Sequence, residues 1–235
     1  MHGRVARKTL QTFWAVLAAF LMAATSAVAA GPPDGAAALP FSEAEKRFVQ
    51  AHPSVRVGLI EGFEPYMFIG KNGLFQGIIP DYLRLLEART GIAFKPARLD
   101  LAELESAMGA EIDLFPGVES PERNRYMAFT KPFISDPWVL VNHRNDPLIT
   151  GLRDLQGRSI SLVDNIYIHG RLESDYPDIR IHPAHDPLQA REAVSTKQAE
   201  AYIGPLPVAG YLMFHKRLTH LKIAAPSGYP PAEVT

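Results

Sequence analysis

In Ser120-Pro121-Glu122-Arg123 a short hydroxyl, a ring that fixes φ and a cation stand at the spacing of a helix start. They follow the apolar run Ile112-Asp113-Leu114-Phe115 and the loop Pro116-Gly117-Val118-Glu119. Serine is a good N-cap, proline suits the first helical position, and Arg123 then falls in the first turn. Unpaired backbone N–H groups and a guanidinium would converge at the carboxyl end of a buried strand, a geometry that attracts a carboxylate or a phosphate. The residues alone leave a second reading open, in which Arg123 pairs with Glu119 or Glu122 on a solvated face.

Other constellations carry less. Glu61 and Glu64 form a possible acid/base couple, although carboxylates on a strand-to-loop turn are more often solvated. His182 and His185 stand three apart with Pro183 and Ala184 between them and no third ligand evident, so no metal is expected. There is no Gly-x-Ser-x-Gly elbow, no Gly-x-Gly-x-x-Gly loop and no P-loop, and with no cysteine in the chain thiolate chemistry and disulfide staples are both excluded. No cofactor is called for.

These side chains need a scaffold, and the apolar pattern supplies an α/β one. Ser42-Glu43-Ala44-Glu45 reads as a capping box opening a short helix that Pro53 stops. A strand Val55–Leu59, a helix from Asp81 to Arg89 closed by Gly91, a strand near Phe94, a helix capped by Asp100 and a strand over residues 112–115 make a βαβαβ unit. Trp138-Val139-Leu140-Val141 reads as a β-rich crossing segment. The pattern then restarts: strand Ser159–Val163, helix Ile166–Leu172, strand Ile179–His182, a helix opened by Asp186-Pro187, strand Ala201–Ile203, helix Val208–Phe214 and strand Leu221–Ala225. Two similar halves joined by an extended crossing imply two lobes with a cleft between them.

Composition agrees. At 235 residues, 47% hydrophobic and 21% charged, the chain can bury one sizeable core or two small ones. A net charge of -1 with dispersed basic residues leaves no footprint for nucleic acid or an anionic membrane. Residues 1–30 carry Arg4, Arg7 and Lys8 before the apolar run Phe13–Ala24 and the small residues Ser26–Ala30, the pattern of a cleavable signal peptide and hence of a periplasmic protein. Residues 31–41 read as a linker, 42–144 as lobe 1 and 145–226 as lobe 2. Residues 227–235 read as the start of a truncated return to lobe 1, and a lobe lacking its closing strand and helix would expose an apolar face and dissolve poorly.

The run Val55-Arg56-Val57-Gly58, Glu64-Pro65-Tyr66, Gln76-Gly77-Ile78, Asp81-Tyr82-Leu83, Glu111-Ile112-Asp113-Leu114, Ser120-Pro121-Glu122-Arg123 and Phe129-Thr130-Lys131-Pro132-Phe133 resembles family 3 bacterial solute-binding proteins. It is similar in particular to the periplasmic Venus-flytrap domains of hybrid sensor histidine kinases. Gly151–Arg158 and Ala201-Tyr202-Ile203-Gly204 match the entry and a later strand of the second lobe, so that the likeness covers residues 41–229.

The resemblance implies a two-lobed, periplasmic-binding-protein-like (type II) fold that closes on a ligand. It carries the carboxylate-clasping arginine onto Arg123 beside Ser120, and the apolar floor onto Phe63 with Tyr66 nearby. The family's small hydroxyl in the first-lobe loop falls on Val118, and its second-lobe threonine near Ile166 or Tyr167. Where amino-acid binders place an Asp for the ligand ammonium, after Gly204, this chain has Pro205, which offers neither charge nor N–H. A zwitterionic amino acid would lose a partner there, so the expected ligand is a small carboxylate or other anion with an apolar or aromatic body. The expected role is binding without catalysis, as the input of a membrane-spanning two-component kinase or as an amino-acid-type transport receptor. The competing readings are an enzyme on this fold, similar to a cyclohexadienyl dehydratase and using Glu61 or Glu119 as acid, or the flytrap part of a lytic transglycosylase.

Overall fold

A computed structural model of the chain describes residues 39–164 and 166–235. The expected signal peptide, and the linker up to residue 38, lie outside the described residues.

Helix α1 (Glu43–Ala51) opens on the expected capping box: Ser42 accepts from the Glu45 N–H, and the Glu45 side chain reaches back to the Ser42 N–H. Strand β1 (Ser54–Leu59) then pairs in parallel with β4 (Ala93–Arg98) and bridges Leu114 through Val57. Between them come the two-residue strands β2 (Phe68–Ile69) and β3 (Phe75–Gln76) and helix α2 (Ile78–Thr90), which closes on Gly91 in the left-handed region. The helix starts three residues earlier than expected. Gly77, at a φ of 117°, turns the chain so that Ile78 and Ile79 donate to the carbonyls of Pro65 and Tyr66. The helix expected after Asp100 is a 3₁₀ turn (Leu101–Glu103) followed by the single turn α3 (Leu104–Ala107).

The larger sheet has the order β10-β6-β9-β7-β8. Its strands are β6 (Trp138–His143), β7 (Ser159–Val163), β8 (Arg180–Ala184), β9 (Ala201–Pro205) and β10 (Leu221–Pro226). The segment read as a crossing, Trp138–Val141, is therefore a sheet strand paired on both edges. One face buries Trp138, Leu140, Ile160, Leu162 and Ile203, beneath Leu152, Leu155 and helix α4 (His169–Asp175); the other buries Val139, Val141 and Tyr202 beneath α5 (Pro187–Ser195). A sheet covered on both faces needs apolar residues at successive positions, which is what β6 and β9 carry.

Helix α6 (Leu206–His215) is apolar almost all round because it is wedged between two cores. Ala209 faces the large sheet, while Val208 and Leu212 pack with Tyr66, Met67 and Ile79 of the smaller lobe.

Two extended crossings link the lobes. β5 (Ile134–Asp136) runs through Pro137 into β6; after β10 the chain turns at Ser227 and forms β11 (Ala232–Val234), antiparallel to β5. Val234 also bridges Val118, and Thr235 donates to the Gly117 carbonyl over 2.9 Å. Residues 232–235 thus run back along β5 and reach the loop of the smaller lobe at Gly117 and Val118.

Candidate functional site in the interlobe cleft

The cleft has two connected chambers. The inner one is a narrow apolar slot of about 80 Å³. Its smaller-lobe wall is formed by Ile60, Phe63, Tyr66, Leu101, Phe115, Val118 and Arg123, and its larger-lobe wall by Trp138, Ile166, Tyr167 and Pro205. Ala232 and Val234 of β11 close the crossing side. The outer chamber, about 510 Å³, shares Ile60, Phe63 and Leu101 with the slot and adds the polar side chains Glu61, Arg98, Asp100, Asp164 and His185 among further apolar ones.

Six of the residues singled out by sequence meet in the slot: Phe63, Tyr66, Val118, Arg123, Tyr167 and Pro205. Two do not. Ser120 is buried behind it, where its hydroxyl accepts from the Arg123 N–H at 3.3 Å. Gly204 faces the packing of β9: a Cβ there would overlap the Tyr202 hydroxyl, so this glycine makes room for a core tyrosine and does not line the slot.

The expected helix start at Ser120-Pro121 is corrected as well. Only a three-residue 3₁₀ turn forms, Arg123–Arg125, and its first N–H is already taken by Ser120. The positive character of the slot rests on the guanidinium alone. Arg123 is 8% exposed, donates through Nη1 to the Val118 carbonyl at 2.8 Å and lies over the Phe115 ring at 5.7 Å. Burial pulls its pKa below the ordinary arginine value, as loss of water must for any cation. Neither Glu119 nor Glu122 forms an ion pair with it among the described residues; Glu119 accepts instead from the Asn124 amide at 3.0 Å.

Position in the fold explains the other slot residues. Tyr66 follows a turn held by α2, and its hydroxyl donates to the carboxylate of Asp136 in β5; burial and that carboxylate both raise its pKa. Pro205 ends β9 opposite Trp138 and caps α6, whose first N–H donates to the Pro137 carbonyl at 2.9 Å. Trp138, which the sequence motifs did not single out, is 2% exposed and donates from Nε1 to the Tyr167 hydroxyl at 2.9 Å. The two rings meet edge to face, 5.5 Å apart.

The remaining candidates disperse. Glu61 pairs with Arg98 at 3.1 Å. Glu64 stands near Arg191 of α5 instead of forming a couple with Glu61. His185 is exposed at the chamber mouth and His182 is half-buried in β8; among the described residues no three His, Cys, Asp or Glu side chains come together as a metal-ligand set.

A parallel-sheet lobe, a five-stranded lobe, two strand crossings and a buried arginine in the cleft fit the family that the motifs suggested, and a family model decides it. The model of bacterial extracellular solute-binding proteins, family 3, matches residues 55–226. The chain belongs to that family. Among curated relatives, the virulence sensor protein BvgS of Bordetella pertussis is 26% identical over 197 residues, 83% of this chain and 16% of the relative. The sensor protein EvgS of Escherichia coli K12 is 23% identical over 181 residues, 75% of this chain and 15% of the relative. The chain thus spans about a sixth of the length of these sensor proteins. The crystal structure of the B. pertussis BvgS periplasmic VFT2 domain superposes with a TM-score of 0.73 at 27% identity, covering 83% of this chain and 84% of that one. Holo ArgBP from T. maritima superposes with a TM-score of 0.69 at 18% identity, over 80% and 84% of the two chains, and supports the fold alone. The two-lobed Venus-flytrap architecture of this solute-binding domain is accordingly established.

Proposed function

We propose that this solute-binding domain captures a small carboxylate with an apolar or aromatic body, holding the carboxylate at Arg123 and the body among Phe63, Phe115 and Tyr167. The observation that carries the reading is the placement of one buried guanidinium in an otherwise apolar slot whose walls come from both lobes. A charge in such surroundings gains most from an anionic partner that also fills the apolar space. Pro205, with no N–H and no charge, leaves a ligand ammonium without a partner at that wall.

The ligand would favour the closed arrangement because it touches both lobes, with β5–Pro137 and Ser227–Pro231 as the bending crossings. In this reading the domain is exported by its signal peptide, works in the periplasm, and passes closure to a membrane-spanning kinase; the likeness to sensor proteins favours that over a transport receptor. Catalysis is disfavoured by the state of the candidate acids: Glu61 is ion-paired with Arg98, and Glu119 lies outside the slot, bonded to Asn124.

Thermal denaturation in the presence of benzoate, phenylacetate and short aliphatic carboxylates tests this. A ligand at 100 times its Kd stabilises by about 2.7 kcal/mol, and the shift should vanish in both Arg123→Met and Arg123→Lys. Shifts that persist in both variants remove Arg123 from the site, and turnover of a prephenate-like compound overturns the binding-only reading.

A further inference from the structure

One polar contact in the slot is unfinished. Trp138 Nε1 is a donor only, so its 2.9 Å contact makes the Tyr167 oxygen the acceptor. The phenol must then direct its own hydrogen elsewhere. Among the described residues, its bond to Trp138 is the one hydrogen bond its hydroxyl makes. Buried or half-buried tyrosine hydroxyls ordinarily find a partner, and the ring of Tyr167 forms part of the slot wall that also holds Arg123.

The two aromatic residues come from the ends of separate strands. Trp138 begins β6 and is fixed on both sides, through its carbonyl by Ser227 N–H at 2.8 Å and through its ring by the buried core. Tyr167 sits in the turn between β7 and α4, which begins at His169. The core-held indole therefore orients the hydroxyl that accepts from it. A hydroxyl with no such anchor could rotate to accept from the ligand; one that already accepts from an indole is committed to donating.

We infer, resting on the reading of the slot as a carboxylate site, that Trp138 is a positioning residue that turns the Tyr167 hydroxyl into a fixed donor beside Arg123, so that the slot selects ligands presenting two acceptor oxygens, a carboxylate over its neutral amide. The guanidinium meets one oxygen and the phenol the other. An amide places an N–H₂ group against one of these donors and loses that contact, leaving a buried donor unmatched.

The test uses benzoate and its near-isostere benzamide as probes, titrated calorimetrically into the full chain and into Tyr167→Phe, Trp138→Phe and the double variant. The wild type should prefer benzoate. Tyr167→Phe should weaken benzoate about 10-fold, within the range for a hydrogen bond to a charged group, and leave benzamide little changed. Trp138→Phe should reduce the preference for benzoate over benzamide less, and the double variant should show the same preference as Tyr167→Phe, because the indole sets that preference through the phenol. In parallel, one of the two indole ¹H–¹⁵N resonances should move upfield in ligand-free Tyr167→Phe; a spectrum unchanged there overturns the orienting bond itself. Additive losses of the benzoate preference in the double variant give Trp138 a merely structural role and overturn the inference. Benzoate bound equally by wild type and Tyr167→Phe overturns it while leaving the carboxylate reading intact; failure of the wild type to bind any carboxylate overturns both.

Discussion

The guanidinium of Arg56 grips the carboxylate of Asp113 at two points, Nε to Oδ2 at 3.0 Å and Nη2 to Oδ1 at 2.5 Å, while Asp113 Oδ2 also accepts from the Arg56 backbone N–H at 2.9 Å. This ties β1 to the segment that bridges it at Leu114 and leads on to Phe115 and Arg123. The hydrogen bonds from Arg56 hold the Asp113 carboxyl at about 2. A carboxyl whose folded pKa lies below its unfolded value contributes stability that is complete above the unfolded value and is lost as pH falls through the folded one. The contribution is therefore present above about pH 4, the ordinary aspartate value, and disappears towards pH 2. Asp113→Asn should be less stable than wild type at pH 7, and the gap should close as pH falls from 4 to 2. Denaturant titrations at a series of pH values would show it; a constant gap would mean that the ion pair does not contribute as described.

Gly77 is the second test. Its φ of 117° is a conformation that side-chain-bearing residues avoid, and a Cβ there would come within 2.5 Å of the Tyr66 carbonyl and 2.6 Å of the Pro65 carbonyl. Gly77→Ala should destabilise the fold by about 1–3 kcal/mol, the cost of a strained backbone position, and should displace Tyr66 from the slot. Urea denaturation measures the first effect. Weakened binding of the slot ligand reports the second.

Arg191 invites a change in the opposite direction. It is completely buried, stacks over Tyr202 at 5.4 Å and donates from Nη1 to the Val208 carbonyl at 3.4 Å, but its Nε and Nη2 have no hydrogen-bond partner among the described residues. Burial lowers its pKa. A buried charge so incompletely matched is often replaceable by an apolar residue of similar volume without loss, or with a gain of about 1–4 kcal/mol. Arg191→Met should leave thermal stability unchanged or raise it; a large drop would show that the nearby charges of Glu64 and Asp186 offset the loss of water.

Leu212, 1% exposed, belongs to α6 yet packs with the smaller lobe. Leu212→Ala should cost about 2–5 kcal/mol, as for other buried leucines, and should lower the transition of the whole domain as one cooperative unit. Separate transitions for the two lobes in calorimetry would contradict the shared core.

Much of this was legible in the sequence wherever a local signal set the outcome. β7 begins and ends as its apolar run predicts, and Asp186-Pro187 opens α5 with the Asp186 side chain accepting from Gln189 N–H. The capping box at Ser42 behaves likewise. What escaped depends on residues far apart in the chain. Trp138 and Tyr167 meet only because β9 lies between β6 and β7 in the sheet, an order that no single strand announces. Gly204 looked like part of the site because its motif matched; only the side chain of Tyr202, two residues back on the same face of β9, reveals why it must be small. The Ser120 turn failed for a different reason: its capping hydroxyl is present, but Val118 is drawn into a bridge with Val234, and the chain leaves the turn after Arg125 before a helix can grow.

The wedge of α6 between two cores gives the cleft a thermal character. Parting the lobes bares Val208 and Leu212 to water, whereas the strand crossings at β5 and β11 keep their backbone pairs. Contact between apolar surfaces weakens on cooling far more than backbone pairing does. The aperture should therefore widen in the cold, and solution scattering across a temperature series would follow it as a growing radius of gyration with no loss of secondary structure.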